Sequence, residues 1–428
     1  MVPSQPLNRI LWTVPLGGGQ YTHYSSPVVT RSNTVLFQGL IGIEALAGAT
    51  GQTNWVQSTD YSGPTFCPLA LTPRNRLYFG GAGGTVFYCD SPDATGSPTF
   101  ARAAFYSLSQ YVANSNNFNI YVHVCTPITS DRYGDIFFGY QSVAGSPLGD
   151  QGGLARIDFN GSGLWTSATN AIGATNVFRP VVNCAPSLSP DQKTVYMVFN
   201  NGTQNLLAAM DSRTLAPLAS VPLLDPWTAN AADAGDSSTA SPTVGPDGDV
   251  YFGVLGNPAA DNGSRGWLLH FDSTLSVTKT PGLFGWDVTD SIVSASLVPS
   301  YQGNSSYLLA TKYNNYAARE YSMALLDPQQ GARDSKSGVT VMAVVLSIPS
   351  PAPLEWCVNS AAVDPFTKSI LANNEDSYLY RWDLTSNQLT ESIYLSANQS
   401  GQAYTPTLIG ADGTVYAINH GVLFAVGK

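Results

Sequence analysis

Charged side chains are scarce: Asp, Glu, Lys and Arg make up 11% of the 428 residues, against about a quarter in ordinary soluble domains. The shortage is uneven, with 19 basic residues against 29 acidic ones and a net charge of -10. That sign repels phosphate backbones and anionic lipid surfaces, which excludes nucleic acid as a partner. The five cysteines, Cys67, Cys89, Cys125, Cys184 and Cys357, are scattered without a CxxC or CxxCH pair, so zinc-ribbon, thioredoxin-like and c-type haem chemistry is excluded. No apolar run reaches the 18 residues needed for a transmembrane helix. Neither a G-x-S-x-G elbow, an HExxH, a phosphate-binding loop nor a dinucleotide fingerprint is present. The opening MVPSQPLNRI lacks a basic stretch followed by an apolar one, so a secretory signal is expected to lie outside this sequence or to have been removed.

What remains is a chain dense in turn and strand formers, with 40 Gly, 28 Pro and 22 Tyr. One phrase recurs: a short polar strand around a proline, a tight turn, an aromatic strand, a loop, a third strand and a turn into a fourth. Its openings are SSPVVT at Ser25, FCPLAL at Phe66, CTPITS at Cys125, CAPSLS at Cys184, ASPTVG at Ala240, VSASLV at Val293, NSAAVD at Asn359 and YTPTLI at Tyr404. Turns such as GPDGD and GADGT between aromatic or β-branched runs are hairpin signals. Openings spaced about 40 to 65 residues apart predict an all-β fold, an eight-bladed β-propeller of four-stranded antiparallel blades. The eighth unit ends at Lys428 after its third strand, while residues 8–15 contain an orphan strand, ILWTVP. The N-terminal strand is therefore expected to complete the blade of residues 403–428 and close a single domain spanning 1–428. Two separate sandwiches are the alternative, but no charged or low-complexity linker divides the chain.

Ala45-Leu46-Ala47-Gly48-Ala49-Thr50-Gly51-Gln52-Thr53-Asn54-Trp55 resembles the tryptophan-docking phrase of pyrroloquinoline-quinone (PQQ) type repeats. In that pattern a third strand ends in Ala-x-Asp, turns through Thr-Gly and sends a fourth-strand Trp between blades; Ala47 departs from the usual Asp. A weaker echo runs from Ala155 to Trp165, and only the Asp persists at Asp211, Asp272, Asp327 and Asp383. The resemblance implies the propeller fold, with PQQ and Ca²⁺ as cofactors by resemblance only, since the adjacent Cys-Cys pair of quinoprotein dehydrogenases is missing. Low charge and abundant Tyr, Asn, Ser and Thr add the expectation of an extracytoplasmic protein, secreted or periplasmic. Sequons starting at Asn160, Asn201, Asn262, Asn304 and Asn398 are compatible with it.

Insertions fall almost entirely in second-to-third-strand and blade-to-blade connections, which share one face, so ligand-binding residues are expected there. The candidates are His23, Tyr24, Tyr61, His123, Trp227, Trp286, Asp287, Asp290, Trp356 and Tyr404. Aromatics beside carboxylates and amides suit a small polar, sugar-like or planar ligand, or a protein; the alternative is that they pin long loops to the rim. Alignment on the opening prolines places His23, His123, Cys125, Cys184 and, with Ala361 as the proline equivalent, Cys357 near the channel mouth as weak candidates for a soft metal. Within the long acidic loops, carboxylates pair as Asp287 with Asp290 and Asp233 with Asp236, a spacing that serves acid-base chemistry, turn capping or Ca²⁺. These features support a binding or interaction module working through the long-loop face. The alternative is an enzyme on the same scaffold, a quinoprotein dehydrogenase or a polysaccharide lyase or hydrolase, with its site at the channel mouth.

Overall fold

Seven of the eight opening phrases supply the innermost strand of a blade, and in six of them a proline keeps that strand short. In blade six the inner strand is Ser291–Ser294, and the rest of the expected phrase, Ala295–Leu297, turns into a short 3-10 helix. Val28–Val29, Leu69–Leu71, Thr129–Ser130, Ser187–Leu188, Thr243–Val244 and Leu408–Ile409 all follow such a proline. A residue without an N–H is tolerated there because the strand edge faces the central channel and not another strand. The second strands, among them Thr34–Gln38, Val250–Val254, Tyr307–Lys312 and Val415–Asn419, are buried almost throughout. They read as continuous apolar runs because neighbouring blades cover both of their faces. The computed structural model describes residues 2–16, 24–173, 179–201, 203–236, 238, 240–396 and 403–428. In it the chain forms eight antiparallel sheets in sequence order, the blades of a closed propeller.

Closure follows the expected route. Arg9–Pro15 pairs antiparallel with Val422–Gly427, Arg9 opposite Gly427 and Pro15 opposite Val422, as the outermost strand of blade eight. Trp12 on this strand donates its indole N–H to Gly48 O at 2.7 Å and lies across the Thr-Gly turn of blade one. Gly51 has φ +69°, and a Cβ there would stand 2.7 Å from Trp12 Cγ, so the glycine is required both for the turn and for the indole. Trp55 repeats the move one blade on, donating to Pro92 O at 2.9 Å and packing edge-on against Phe100 of blade two. Trp165 does not: it packs against Phe105 of the preceding blade and Tyr140 of its own.

Four blades depart from the regular plan. In blades three and four the inner strand is split, so that Val122–Val124 with Thr129–Ser130, and Arg179–Pro180 with Ser187–Leu188, pair with one second strand each. In blade five the fourth position shrinks to isolated bridges, Leu268 to Gly282 and Phe271 to Thr278. Blade six compensates with a long outer hairpin, Ser322–Arg333 and Thr340–Pro349, whose register shifts between Asp327 and Gly331. Beyond that bulge the hairpin reaches blade five. Met342 N–H donates to Pro281 O, Val341 joins the blade-five core, and Arg265 pairs with Asp334.

Candidate functional site

Two hollows compete for a functional reading. The first, of about 640 Å³, is the central channel, walled by the opening phrases of the blades: Tyr24, Ser25, Phe66, Pro127, Ala185, Ser241, Thr289, Asn359 and Tyr404 among others. Tyr24 stacks on Phe66 at 5.9 Å near blades one and two. Among the described residues no charged side chain lines it. Much of its polar lining is also engaged in holding blades together: Thr129 Oγ1 donates to Pro186 O, Ser241 N–H to Thr289 Oγ1, Ser360 Oγ to Thr289 O and Asn359 Nδ2 to Tyr404 O. PQQ carries three carboxylates and pairs with Ca²⁺, so its site needs cations and carboxylates on the wall. Among the described residues this channel has neither, and those residues do not fit the group.

The second hollow, of about 350 Å³, opens on the long-loop face over blades five to eight. Leu255 and Ser264 flank the blade-five loop, Trp286 and Asp287 come from the connection into blade six, Lys312 ends the second strand of blade six and Tyr316 follows it. Glu355 and Cys357 come from the connection into blade seven, and Tyr404 from that into blade eight. Tyr316 Oη donates to Glu355 Oε2 at 2.5 Å, and Asn314 Nδ2 approaches the same oxygen at 3.4 Å. Tyr404 Oη lies 3.5 Å from Glu375 Oε1. Burial pushes the Glu375 carboxyl above the usual range, and the neighbouring Glu355 adds to the shift. Burial likewise holds the Cys357 thiol well above its ordinary value, so it stays a neutral S–H.

Of the sequence candidates, Trp286, Asp287 and Tyr404 therefore converge in one recess. The others do not join them. Trp356 is fully buried, packed edge-on against Tyr380 in the core between blades six and seven, and is a strut and not a rim platform. Asp290, read as a partner of Asp287, is 6% exposed, and its Oδ1 has no hydrogen-bond partner. Burial raises its pKa to about 7. Trp227 does stand on the rim, 38% exposed, on a turn whose N–H groups are held by Asp225. Tyr61 bridges blades instead, its hydroxyl donating to Val124 O at 2.8 Å. His23 lies outside the described residues.

The soft-metal set does not assemble. Among the described residues no three His, Cys, Asp or Glu side chains converge on a metal-sized site. Cys184 is packed in the core between blades four and five and acts on Cys125 only through the field, whereas Cys357 is among the acids of the recess. All five cysteines are buried and unpaired. Burial pushes the Cys184 thiol up to about 12 and Cys125 higher still, so neither supplies a thiolate. His123 is held below its usual pKa, again by burial. The sequon at Asn262 is closed too, because its side chain is fully buried against Arg265 and Gly266 O.

Sequence reasoning counted Glu355 only among the acids of the long-loop face and did not single out Lys312 or Tyr316 within the Lys312-to-Glu320 insertion. A signal existed for Lys312. Second strands of other blades end in neutral Gln38, Asn200, Asn373 or Asn419, and blade six alone among these closes on a lysine.

No protein-family model and no curated protein matches the sequence. Solved structures do match in shape. BamB from Moraxella catarrhalis is 13% identical, with 98% of this chain and 99% of that one covered and a TM-score of 0.54. Sqt1 of Saccharomyces cerevisiae is 11% identical over 99% and 100%, with a TM-score of 0.60. A europium-containing methanol dehydrogenase is 10% identical over 95% and 84%, with a TM-score of 0.55. At these identities the likeness is one of fold, and the chain is an eight-bladed β-propeller whose resemblance to PQQ-type repeats fits such neighbours.

Proposed function

We propose that this propeller is an extracytoplasmic binding module that takes a small polar ligand in the recess over blades five to eight. The observation that carries the reading is convergence: loops and connections between blades five and eight bring three aromatic rings, two carboxylates and an ammonium around one 350 Å³ hollow. The extracytoplasmic part rests on composition, and the buried thiols are compatible with it because they are shielded from oxidation. The enzymatic alternative has its best footing at the same place, where the raised Glu375 lies near Glu355, the arrangement from which acid-base pairs are built.

The test is titration calorimetry against a panel of sugars, amino acids and hydroxy acids, with bound ligand recovered afterwards. Trp286→Ala should abolish binding while leaving the melting temperature nearly unchanged. Trp356→Ala should instead destabilise by about 3–5 kcal/mol, as expected for a buried aromatic. Binding that survives Trp286→Ala would remove the recess as the site, and ligand recovered as a cleaved product would favour the enzyme.

A further inference from the structure

Lys312 is 5% exposed at the end of a fully buried strand, and it lines the recess. Among the described residues its ammonium makes no ion pair and no hydrogen bond. A lysine this enclosed, with its ammonium turned to the recess and unmet by the protein, leaves three donors for whatever fills the hollow. We infer that the recess binds a neutral polyhydroxylated ring, a pyranose sugar, and that Lys312 is the contact that selects it. This deepens the binding reading of the same recess and rests on it.

The choice of class follows from the charges around the hollow. Glu355, Glu375 and Asp287 all act on the nearby Cys357, so a ligand bringing a carboxylate or phosphate to Lys312 would meet three acids. A ligand bringing an ammonium would meet Lys312 itself at short range. What suits both signs is a group that donates and accepts without charge, and a hydroxyl is that group. The recorded bonds to Glu355 both fall on Oε2, which leaves Oε1 as an acceptor for a ligand hydroxyl. Lys312 can then donate to adjacent ring oxygens, and Trp286 offers a flat apolar face to the C–H side of the ring. A hollow of 350 Å³ is at the small end of ligand sites, about 300–1,000 Å³, and suits a single ring.

The experiment compares methyl hexopyranosides of gluco, galacto and manno configuration with the matching uronates and with glucosamine, by calorimetry at fixed ionic strength. The expected result is binding of at least one neutral hexoside, at least tenfold weaker binding of its charged counterparts, and a loss of tenfold or more in Lys312→Met. The melting temperature of unliganded Lys312→Met should hold or rise, because the lysine's ammonium has no protein partner to lose; a lysine kept for structure would lower it. Should that variant misfold, Lys312→Gln supplies the same comparison. Tightest binding of a uronate or glucosamine, abolished by Trp286→Ala, would overturn the neutral-sugar inference while sparing the recess. Absence of binding by every member of both panels would overturn the inference and the proposed function together.

Discussion

The acidic residue that recurs at the end of third strands does a structural job. Asp211 Oδ1 accepts from the N–H groups of Arg213 and Thr214, Asp383 Oδ1 from Thr385 and Ser386, and Asp158 Oδ1 from Asn160 and Ser162. Each closes the turn into the outer strand, as Asp and Asn side chains do when they replace a backbone acceptor. Asp290 is the opposite case, a carboxylate buried without a partner for Oδ1. With a folded pKa of about 7 and an unfolded one near 3.8, it costs nothing below pH 4, where both states hold the proton. Between pH 4 and 7 only the folded state holds it, so stability falls as pH rises. Asp290→Asn should therefore match the parent at pH 4 and exceed it by on the order of 3–4 kcal/mol at pH 8. Denaturant titrations at both pH values check this, and a pH-independent difference sinks it. The contrast shows why the site was only half legible. The sequence marks Trp286, Asp287, Asp290 and Trp356 equally as loop residues, and burial, which separates platforms from struts, depends on neighbours in other blades.

Elements whose information is local were read correctly: seven of the eight openings, the short inner strands after proline and the hairpin turns all depend on residues within a few positions of one another, and the opening that missed, in blade six, is one without a proline. The blade-six hairpin was not, because its reason lies in another blade. Blade five lacks a continuous fourth strand and would expose the edge of Trp267–Phe271, an invitation to non-native pairing. The hairpin beyond Gly331 supplies cover, and the Arg265–Asp334 pair fastens it, its side chains 7% and 6% exposed. Arg265 also bonds Asn262 through Nη2 at 2.6 Å, so the guanidinium is held on two sides. Asp334→Ala should destabilise by about 3–5 kcal/mol by leaving that guanidinium buried and unpaired. Arg265→Met combined with Asp334→Leu should recover most of the loss, as measured by chemical denaturation. If the double variant is as unstable as the single one, the pair holds geometry that apolar packing cannot replace.

At the scale of the molecule, a propeller is only as stable as its seam, where the chain must return to its start. The N-terminal segment does more there than add a strand. Ser4 N–H and Oγ donate to Asp364 Oδ2, Leu7 N–H to Glu391 Oε2, and Arg381 Nη2 to Gln5 O, all on blade seven. Gln5 N–H and Leu16 N–H bond to Gly413 O and Gly421 O of blade eight, and Trp12 reaches Gly48 of blade one. Fifteen residues thus tie three consecutive blades, and the orphan strand in the sequence announced only the middle tie. Deleting residues 2–16 should expose the edge of Val422–Gly427, leave Asp364 and Arg381 short of partners, and open a hollow beside Gly51 where the indole lay. The truncated chain is expected to melt at a clearly lower temperature and to aggregate at concentrations the full chain tolerates. A synthetic peptide of residues 2–16, added in excess, should restore the melting temperature in a concentration-dependent way, because it binds the folded ring and not the unfolded chain. The same peptide with Trp12→Ala should restore it less. A truncated protein that melts like the parent would mean that the seam is held elsewhere and that the N-terminal ties are incidental.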